Sequence, residues 1–298
     1  MNAVYCSNLA KSYPNAQVLK NISFTIEPNT ITGVIGRNGA GKTTLLKIIA
    51  GFFRETSGEI KVFSKNPFNN LFVSANTIYI DDQMNLPATL QLIEILEEGR
   101  RFYKNWDHQL ALRLFDYFSL HPNQYYSNLS RGMRNTFNMV IGLSSRCPLT
   151  IFDEPTTGMD AAVRKDFYRA LLKDYIAHPR TILLSSHHLD EIEDILEDVL
   201  LIKDGKVLLH RPISDIKEWA IGLKGQKSLV EQWTKNSDLL HIQELGNNSL
   251  YAVIKNDLTS FDLDNIQLAG IEVSPVSASD VCVYLTSTFK GGIDDVFN

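Results

Sequence analysis

Only three cysteines occur in the 298 residues, Cys6, Cys147 and Cys282, and they lie far apart. They match neither a metal-ligand spacing nor a disulfide framework, so they read as buried or idle thiols in a reducing compartment. No apolar run approaches the roughly 20 residues that a bilayer-spanning helix requires. The opening stretch, MNAVYCSNLAKSYPN, has no apolar core flanked by basic residues and does not read as a secretion signal. If the protein works at a membrane, another chain is expected to carry the spanning helices. Basic excess is missing too: 29 Lys and Arg stand against 34 Asp and Glu, a net charge of −5. Such a chain offers no overall field for a nucleic-acid backbone, and no nucleic-acid partner is expected. Internal repeats and low-complexity stretches are absent.

What is present is ordinary for a soluble globular protein, with 44% hydrophobic and 21% charged residues. The length suits one large domain, or one domain with an appendage. Strand-like and helix-like segments alternate through the first two thirds. QVLKNISFTI has the β-branched content of a strand, and ITGVI is a short apolar run of the kind found in buried parallel sheets. KTTLLKIIAG reads as a helix closed by Gly51. GEIKVF, TIYI, LTIF and TILLSS read as further strands. From Pro87 to Cys147 no strand signal appears, and patterns such as TLQLIEILEEGRRFY and HQLALRLFDYF predict a helical insert. AAVRKDFYRALLKDYI places Val163, Phe167, Ala170 and Leu171 on one helical face. VLLIKDGKVLLH is two apolar runs joined by Asp204-Gly205, a hairpin signal. After Pro212 the character changes. QKSLVEQW predicts a helix, LLHIQELGNNSLYAVI a hairpin turning at Gly246-Asn247-Asn248, and SASDVCVYL a final helix capped by Ser277 or Ser279. Residues 213–298 are therefore expected to form a small α+β domain after an α/β domain at 1–212.

GRNGAGKTT, from Gly36 to Thr44, follows a strand and opens a helix, which is the context the G-x-x-x-x-G-K-[ST] pattern requires. Its members are Gly36, Arg37, Asn38, Gly39, Ala40, Gly41, Lys42, Thr43 and Thr44. Successive backbone N–H groups in such a loop converge on an anion, and the helix brings its positive end to the same place. Gly39 and Gly41 permit conformations and approaches that a Cβ obstructs. Lys42 supplies a point charge for β- and γ-phosphates, and Thr43 a hydroxyl for Mg²⁺. LTIFDEP is an apolar strand ending in two carboxylates. Asp153 at its tip suits Mg²⁺, directly or through water, and Glu154 beside it suits polarisation of an attacking water.

With these motifs in place, the chain resembles the ATP-binding subunit of a bacterial ABC transporter over residues 1 to about 212. That resemblance implies an α/β P-loop NTPase core with an antiparallel β subdomain and a helical subdomain near 84–147. It also implies ATP and Mg²⁺ as cofactors, and two subunits that hold two ATP molecules between them. LSRGM, Leu129 to Met133, is similar to the family's LSGGQ signature. By that resemblance Ser130, Arg131, Gly132 and Met133 face the γ-phosphate of ATP held by the partner chain. Arg131 replaces the first glycine and Met133 the glutamine, so a working but altered signature is expected. Taken alone, the same residues are an ordinary helix N-cap.

Other positions follow from the same resemblance. Tyr13 is similar to the aromatic that stacks on adenine, or is simply a tyrosine at a strand end. Gln83 corresponds to the glutamine that senses Mg²⁺ and the transport partner. Asp160 matches the loop that speaks across the dimer, and equally the N-cap of the helix beginning at Ala161. His187 matches the histidine that contacts the γ-phosphate, with His188 adjacent. FYKNWD, Phe102 to Asp107, resembles a feature of a branch whose members pair with separate permeases in peptide or antibiotic export. The expected protein is thus an ATPase in a homodimer or a heterodimer with a paralogue. It sits at the cytoplasmic face of the cell membrane, bound to an integral permease. A non-transport or regulatory ATPase of low turnover is the alternative. A GTPase is disfavoured, because the guanine-reading N-K-x-D is absent.

Overall fold

A computed structural model describes residues 2–235, 237–246 and 248–287. Two compact units emerge, the first made of Met1–His187 and Asp194–His210, the second of His188–Glu193 and Arg211–Asn298. In the first unit the chain runs β1 (Val4–Tyr13), β2 (Ala16–Ile26), β3 (Ile31–Ile35), α1 (Lys42–Ile49), β4 (Ser57–Val62), α2 (Leu71–Ala75) and β5 (Thr77–Ile80). It continues through α3 (Leu92–Phe102), α4 (His108–Tyr117), α5 (Arg131–Ser145), β6 (Leu149–Asp153), α6 (Ala161–Ala177), β7 (Thr181–Ser186), β8 (Asp198–Lys203) and β9 (Lys206–Pro212), the last two residues of β9 being counted with the second unit.

The strands β2, β1 and β4 form an antiparallel sheet. A second sheet has the order β5-β6-β7-β3-β8-β9, and its first five strands are parallel. Every residue of β3, β5, β6 and β7 is buried, as a doubly covered parallel sheet demands. That sheet brings the C-terminal ends of β3, β6 and β7 side by side, where ligands bind in open α/β folds. β9 returns beside β8 through Asp204-Gly205, both at positive φ, which is the turn that the dipeptide predicts. The expected helical insert is α3, α4 and α5, with no strand among them. On α6 the predicted face is partly realised: Phe167 and Leu171 are buried, while Val163 and Ala170 are only half-buried.

Gly142 explains how closely α5 seats on the sheet. A Cβ there would lie 2.6 Å from the Phe152 ring, so only glycine lets the helix approach β6 this way. A partly buried ionic cluster ties the insert to the core. Arg146, past the end of α5, contacts Asp107 and Asp174 at 2.9 Å each, and Arg180 contacts Asp174 at 2.8 Å.

The second unit holds α7 (Ile213–Lys217), β10 (Ala220–Gln226), α8 (Lys227–Thr234), β11 (Leu239–Glu244), β12 (Ser249–Lys255), α9 (Ser260–Leu268), β13 (Glu272–Pro275) and α10 (Ala278–Thr286). From β10 to β13 the order is β-α-β-β-α-β, and the antiparallel sheet reads β11-β12-β10-β13. This is the split-βαβ arrangement of ferredoxin-like domains. Its own core gathers Leu223, Val230, Leu250, Ile254, Ile266 and Ile271. Ser277, not Ser279, caps α10 by accepting the Asp280 N–H. Of the predicted hairpin turn, Asn247 lies outside the described residues. The thiols of Cys6, Cys147 and Cys282 are buried, which pushes them up to about 12, 11 and 12 respectively.

Candidate functional site

β3 delivers the chain into the loop Gly36–Gly41, and α1 begins at Lys42. Gly39 has φ +81° and Gly41 has φ +105°, in the left-handed region. A Cβ on Gly41 would also lie 2.8 Å from Leu19 Cδ2, so the position is closed to side chains on two counts. Arg37, Asn38, Gly39 and Thr43 are exposed, Thr44 is half-buried, and Gly36 and Ala40 are buried. The first turn of α1 holds no acidic residue, so its positive end is left uncompensated within the helix. Lys42 is only 5% exposed, and its Nζ donates to Gly36 O at 2.6 Å and pairs with Glu154 Oε1 at 3.1 Å. The lysine therefore bridges the loop and the carboxylate at the end of β6. The second of these contacts is an ion pair without hydrogen-bond alignment, because Glu154 Oε1 has no hydrogen-bond partner.

Asp153 is 5% exposed and ends β6. Register explains its neighbours. Asp153 pairs with Ser185 on β7, and Tyr79 on β5 pairs with Ile151, two residues before Asp153. Side chains two apart share a sheet face, so Tyr79, Asp153 and Ser185 project together. Tyr79 donates to Asp153 Oδ2 at 2.7 Å, and Ser185 donates to Oδ1 at 2.5 Å. Burial first, and then the Asp153 carboxylate, push the Tyr79 hydroxyl far above its usual value, so it remains a protonated donor. Glu154 follows at φ +47°, a turn that sends its side chain away from that of Asp153. Its N–H donates to Ser185 Oγ at 2.8 Å, and its Oε2 meets His187 Nδ1 at 2.8 Å. His188 begins the segment that belongs to the second unit.

A second group of predicted residues gathers at the start of α5. Ser130 is exposed and caps the helix by accepting the Met133 N–H at 3.3 Å. Arg131 forms an ion pair with Asp82, the residue before Gln83. A Cβ on Gly132 would lie 2.6 Å from Gly158 O, and Asn135 donates to Thr157 O at 2.6 Å. The signature turn is thereby seated against the loop that ends in Asp160. Asp160 is exposed and caps α6 by accepting the Val163 N–H at 2.9 Å. Met133 is 37% exposed. Gln83 is exposed in the loop after β5, with its N–H on Asp81 Oδ1 at 3.1 Å. Tyr13 is 42% exposed at the end of β1, with Lys11 Nζ 5.2 Å from its ring centroid.

The structure thus joins Lys42, Glu154 and His187 in one chain of contacts, with Asp153 beside them. It gathers Ser130 to Met133, Asp82 and Asp160 in another. Sequence reasoning missed Tyr79, Ser185 and Asp82. The first two were legible only as strand residues; pairing registers, which no motif records, make them neighbours of Asp153.

The profile of the family described as ABC transporter matches residues 19–157. The chain is 30% identical over 217 residues to the ABC transporter ATP-binding protein YtrB of Bacillus subtilis (strain 168), covering 70% of this chain and 72% of that one. It is 26% identical to the SkfA peptide export ATP-binding protein SkfE of the same organism, over 78% of this chain and 99% of that one. Among solved structures, the dimeric post-hydrolysis cassette MJ0796 bound to ADP and Pi shares the fold, with a TM-score of 0.62 at 21% identity over 70% of this chain and 98% of that one. The chain belongs to the ABC transporter family as an ATP-binding protein, an ATPase coupled to transport. No described helix is long and apolar enough to cross a membrane.

Proposed function

We propose that this chain binds Mg-ATP between two subunits and uses its hydrolysis to power a separate membrane permease, in export of a peptide, antibiotic or other amphipathic compound. The observation that carries the reading is the Lys42–Glu154–His187 contact chain together with a separate, exposed signature turn seated on the loop Gly158–Asp160. One group suits a triphosphate held in its own chain. The other suits the phosphate of a neighbouring copy, as in a closed two-fold dimer. The dimeric cassette MJ0796 and the peptide export protein SkfE support this reading of the assembly and the cargo.

The loop Gly36–Thr44 cradles the phosphates, and Tyr13 stacks on the adenine. Thr43, Gln83 and Asp153 hold Mg²⁺. No cage of three or more His, Cys, Asp or Glu exists among the described residues. That suits Mg²⁺, which binds through one or two carboxylates plus substrate phosphates and keeps several waters. When bound, the ion neutralises charge on the β- and γ-phosphate oxygens. Lys42 exchanges its contact with Glu154 for the phosphates, which releases that carboxylate to accept a proton from the attacking water. His187 orients Glu154 through Nδ1 and faces the γ-phosphate. In trans, Ser130 and Gly132 offer the N-terminus of α5, while Arg131 is held by its ion pair with Asp82 of its own chain. Asp160 reaches across the dimer. Loss of the shared phosphate reopens the pair.

Replacing Ser130 by Arg tests the sandwich. Binding of a fluorescent ATP analogue is expected to stay within about twofold, while hydrolysis falls by at least about 100-fold. Normal hydrolysis would remove the signature turn from the site. Mild extraction from membranes, followed by identification of the co-purifying integral protein, tests the permease; purification with ribosomes instead would overturn transport.

A further inference from the structure

The Asp153 carboxylate is gripped from both sides, and the grip from β5 has no role in the family motifs described above. Tyr79 is 9% exposed, and its hydroxyl lies 2.7 Å from Asp153 Oδ2. Its ring is braced. Phe52 meets it edge-on at 5.4 Å between centroids, and Lys47 Nζ stands 5.7 Å from its centroid while pairing with Asp81 at 3.5 Å. The opposite oxygen, Oδ1, is held by Ser185 at 2.5 Å, and Ser185 is itself fixed by accepting the Glu154 N–H at 2.8 Å. A carboxylate held by one donor pivots about that contact; held by donors on two flanking strands, it does not.

We infer that Tyr79 is a positioning residue that fixes the Asp153 carboxylate for a small divalent cation and sets the preference for Mg²⁺ over Ca²⁺. The inference rests on the reading of Asp153 as a metal-holding residue. Partners of metal-ligating groups fix orientation and commonly change metal affinity by about 10- to 100-fold when removed. Calcium takes more oxygens in looser geometry and often engages both oxygens of one carboxylate, whereas magnesium demands near-ideal octahedral placement. A carboxylate that cannot swing to present both oxygens together favours the smaller ion.

The test uses the full chain with a non-hydrolysable ATP analogue, following Mn²⁺ by electron paramagnetic resonance with Mg²⁺ and Ca²⁺ as competitors. Tyr79→Phe keeps the braced ring and removes the hydroxyl. The expected result is an approximately 10-fold weaker Mn²⁺ affinity, a comparable loss for Mg²⁺, and a narrowed ratio of Mg²⁺ to Ca²⁺ affinity. Binding of the analogue in EDTA should match the parent, which shows that the variant is folded and its phosphate loop intact. Unchanged Mn²⁺ affinity, or an equal loss for all three ions, overturns the inference. Asp153→Asn separates the two layers. If it too leaves metal affinity unchanged, the reading of Asp153 falls; if it abolishes metal binding while Tyr79→Phe does nothing, only the role of Tyr79 falls.

Discussion

The two units of this chain make opposite use of the same building materials. In the first, β6 and β7 end at Asp153 and Ser186, and the residues beyond β3, β6 and β7 place Glu154 in contact with both Lys42 and His187. In the second, alternating strand residues fill a core of Leu223, Leu250 and Ile254 under α8. A βαβ-rich sheet becomes a chemical site only where its strand ends converge on a loop able to hold charge. Packing by itself yields a domain, and the second unit has a core of its own.

The two units differ most at Glu154, whose role has no counterpart in the second core. Glu154→Gln keeps shape and loses the base, so steady-state ATP hydrolysis should fall by about 10²- to 10⁴-fold, with nucleotide binding retained and an ATP-bound dimer accumulating in size-exclusion chromatography. Unchanged turnover would remove Glu154 from its role. Next in size is a change confined to the other unit. Val230 is fully buried in the second core, and Val230→Asp places an unpaired carboxylate there, at a cost of at least about 3 kcal/mol. Two-transition calorimetry should show the second unit melting early while binding of ATP to the first persists. Loss of nucleotide binding in that variant would mean that the units do not fold on separate cores.

How far these differences could be read in advance varies by residue. GRNGAGKTT and LTIFDEP announced themselves, because phosphate and metal chemistry fixes residue types at fixed spacing. β3, β6 and β7 were legible as apolar runs for the same reason that they are buried on both faces. β1 was not: the stretch VYCSNLAKSY mixes polarity, turns to positive φ at Asn8, and shifts register more than once against β2. β10 was missed because Gly222 and Gly225 dilute its pattern, although at Gly222 the reason for glycine is concrete. A Cβ there would lie 2.6 Å from the Tyr251 hydroxyl. The segment His188–Glu193 groups with the second compact unit, and nothing in its residue types marks that. The Arg146, Asp107, Asp174 and Arg180 cluster, and the hydroxyl grip on Asp153, join residues from separate elements. Such contacts follow from register and helix seating, which a single sequence does not record.

The Arg131–Asp82 pair sharpens the comparison at smaller amplitude, because it joins two loops of the first unit through a departure from the signature. The two side chains are 61% and 31% exposed, so the pair contributes no more than about 1 kcal/mol to stability. Arg131→Gly should therefore barely move the melting temperature. Freed from its tie to the loop carrying Gln83, the signature turn should engage nucleotide more readily and raise ATP turnover by about fivefold, the equivalent of that energy. Asp82→Asn should move turnover in the same direction. If both variants leave turnover at the parent level, the pair is a surface contact with no bearing on the cycle.

The smallest expected effect lies in the second unit, and it arises from packing rather than chemistry. His241 on β11 stacks against Tyr284 of α10, with ring centroids 4.4 Å apart and planes within 5°. Burial is the main cause that holds its pKa below the usual histidine value, with Asp280 opposing. A histidine depressed in the folded state is protonated more readily in the unfolded chain, so the unfolded state binds more protons as pH drops through the ordinary histidine range. The stability that His241 contributes as a neutral ring is present above about pH 6.5 and declines as the pH falls below it. Melting of the second unit should shift slightly downward between pH 7 and pH 5.5. His241→Phe keeps the stack, removes the titration, and should flatten that part of the dependence, while the first unit's transition keeps its parental profile. An identical pH dependence in parent and variant would show that protonation of His241 does not strain the stack, and that the second unit's acid sensitivity lies in its carboxylates.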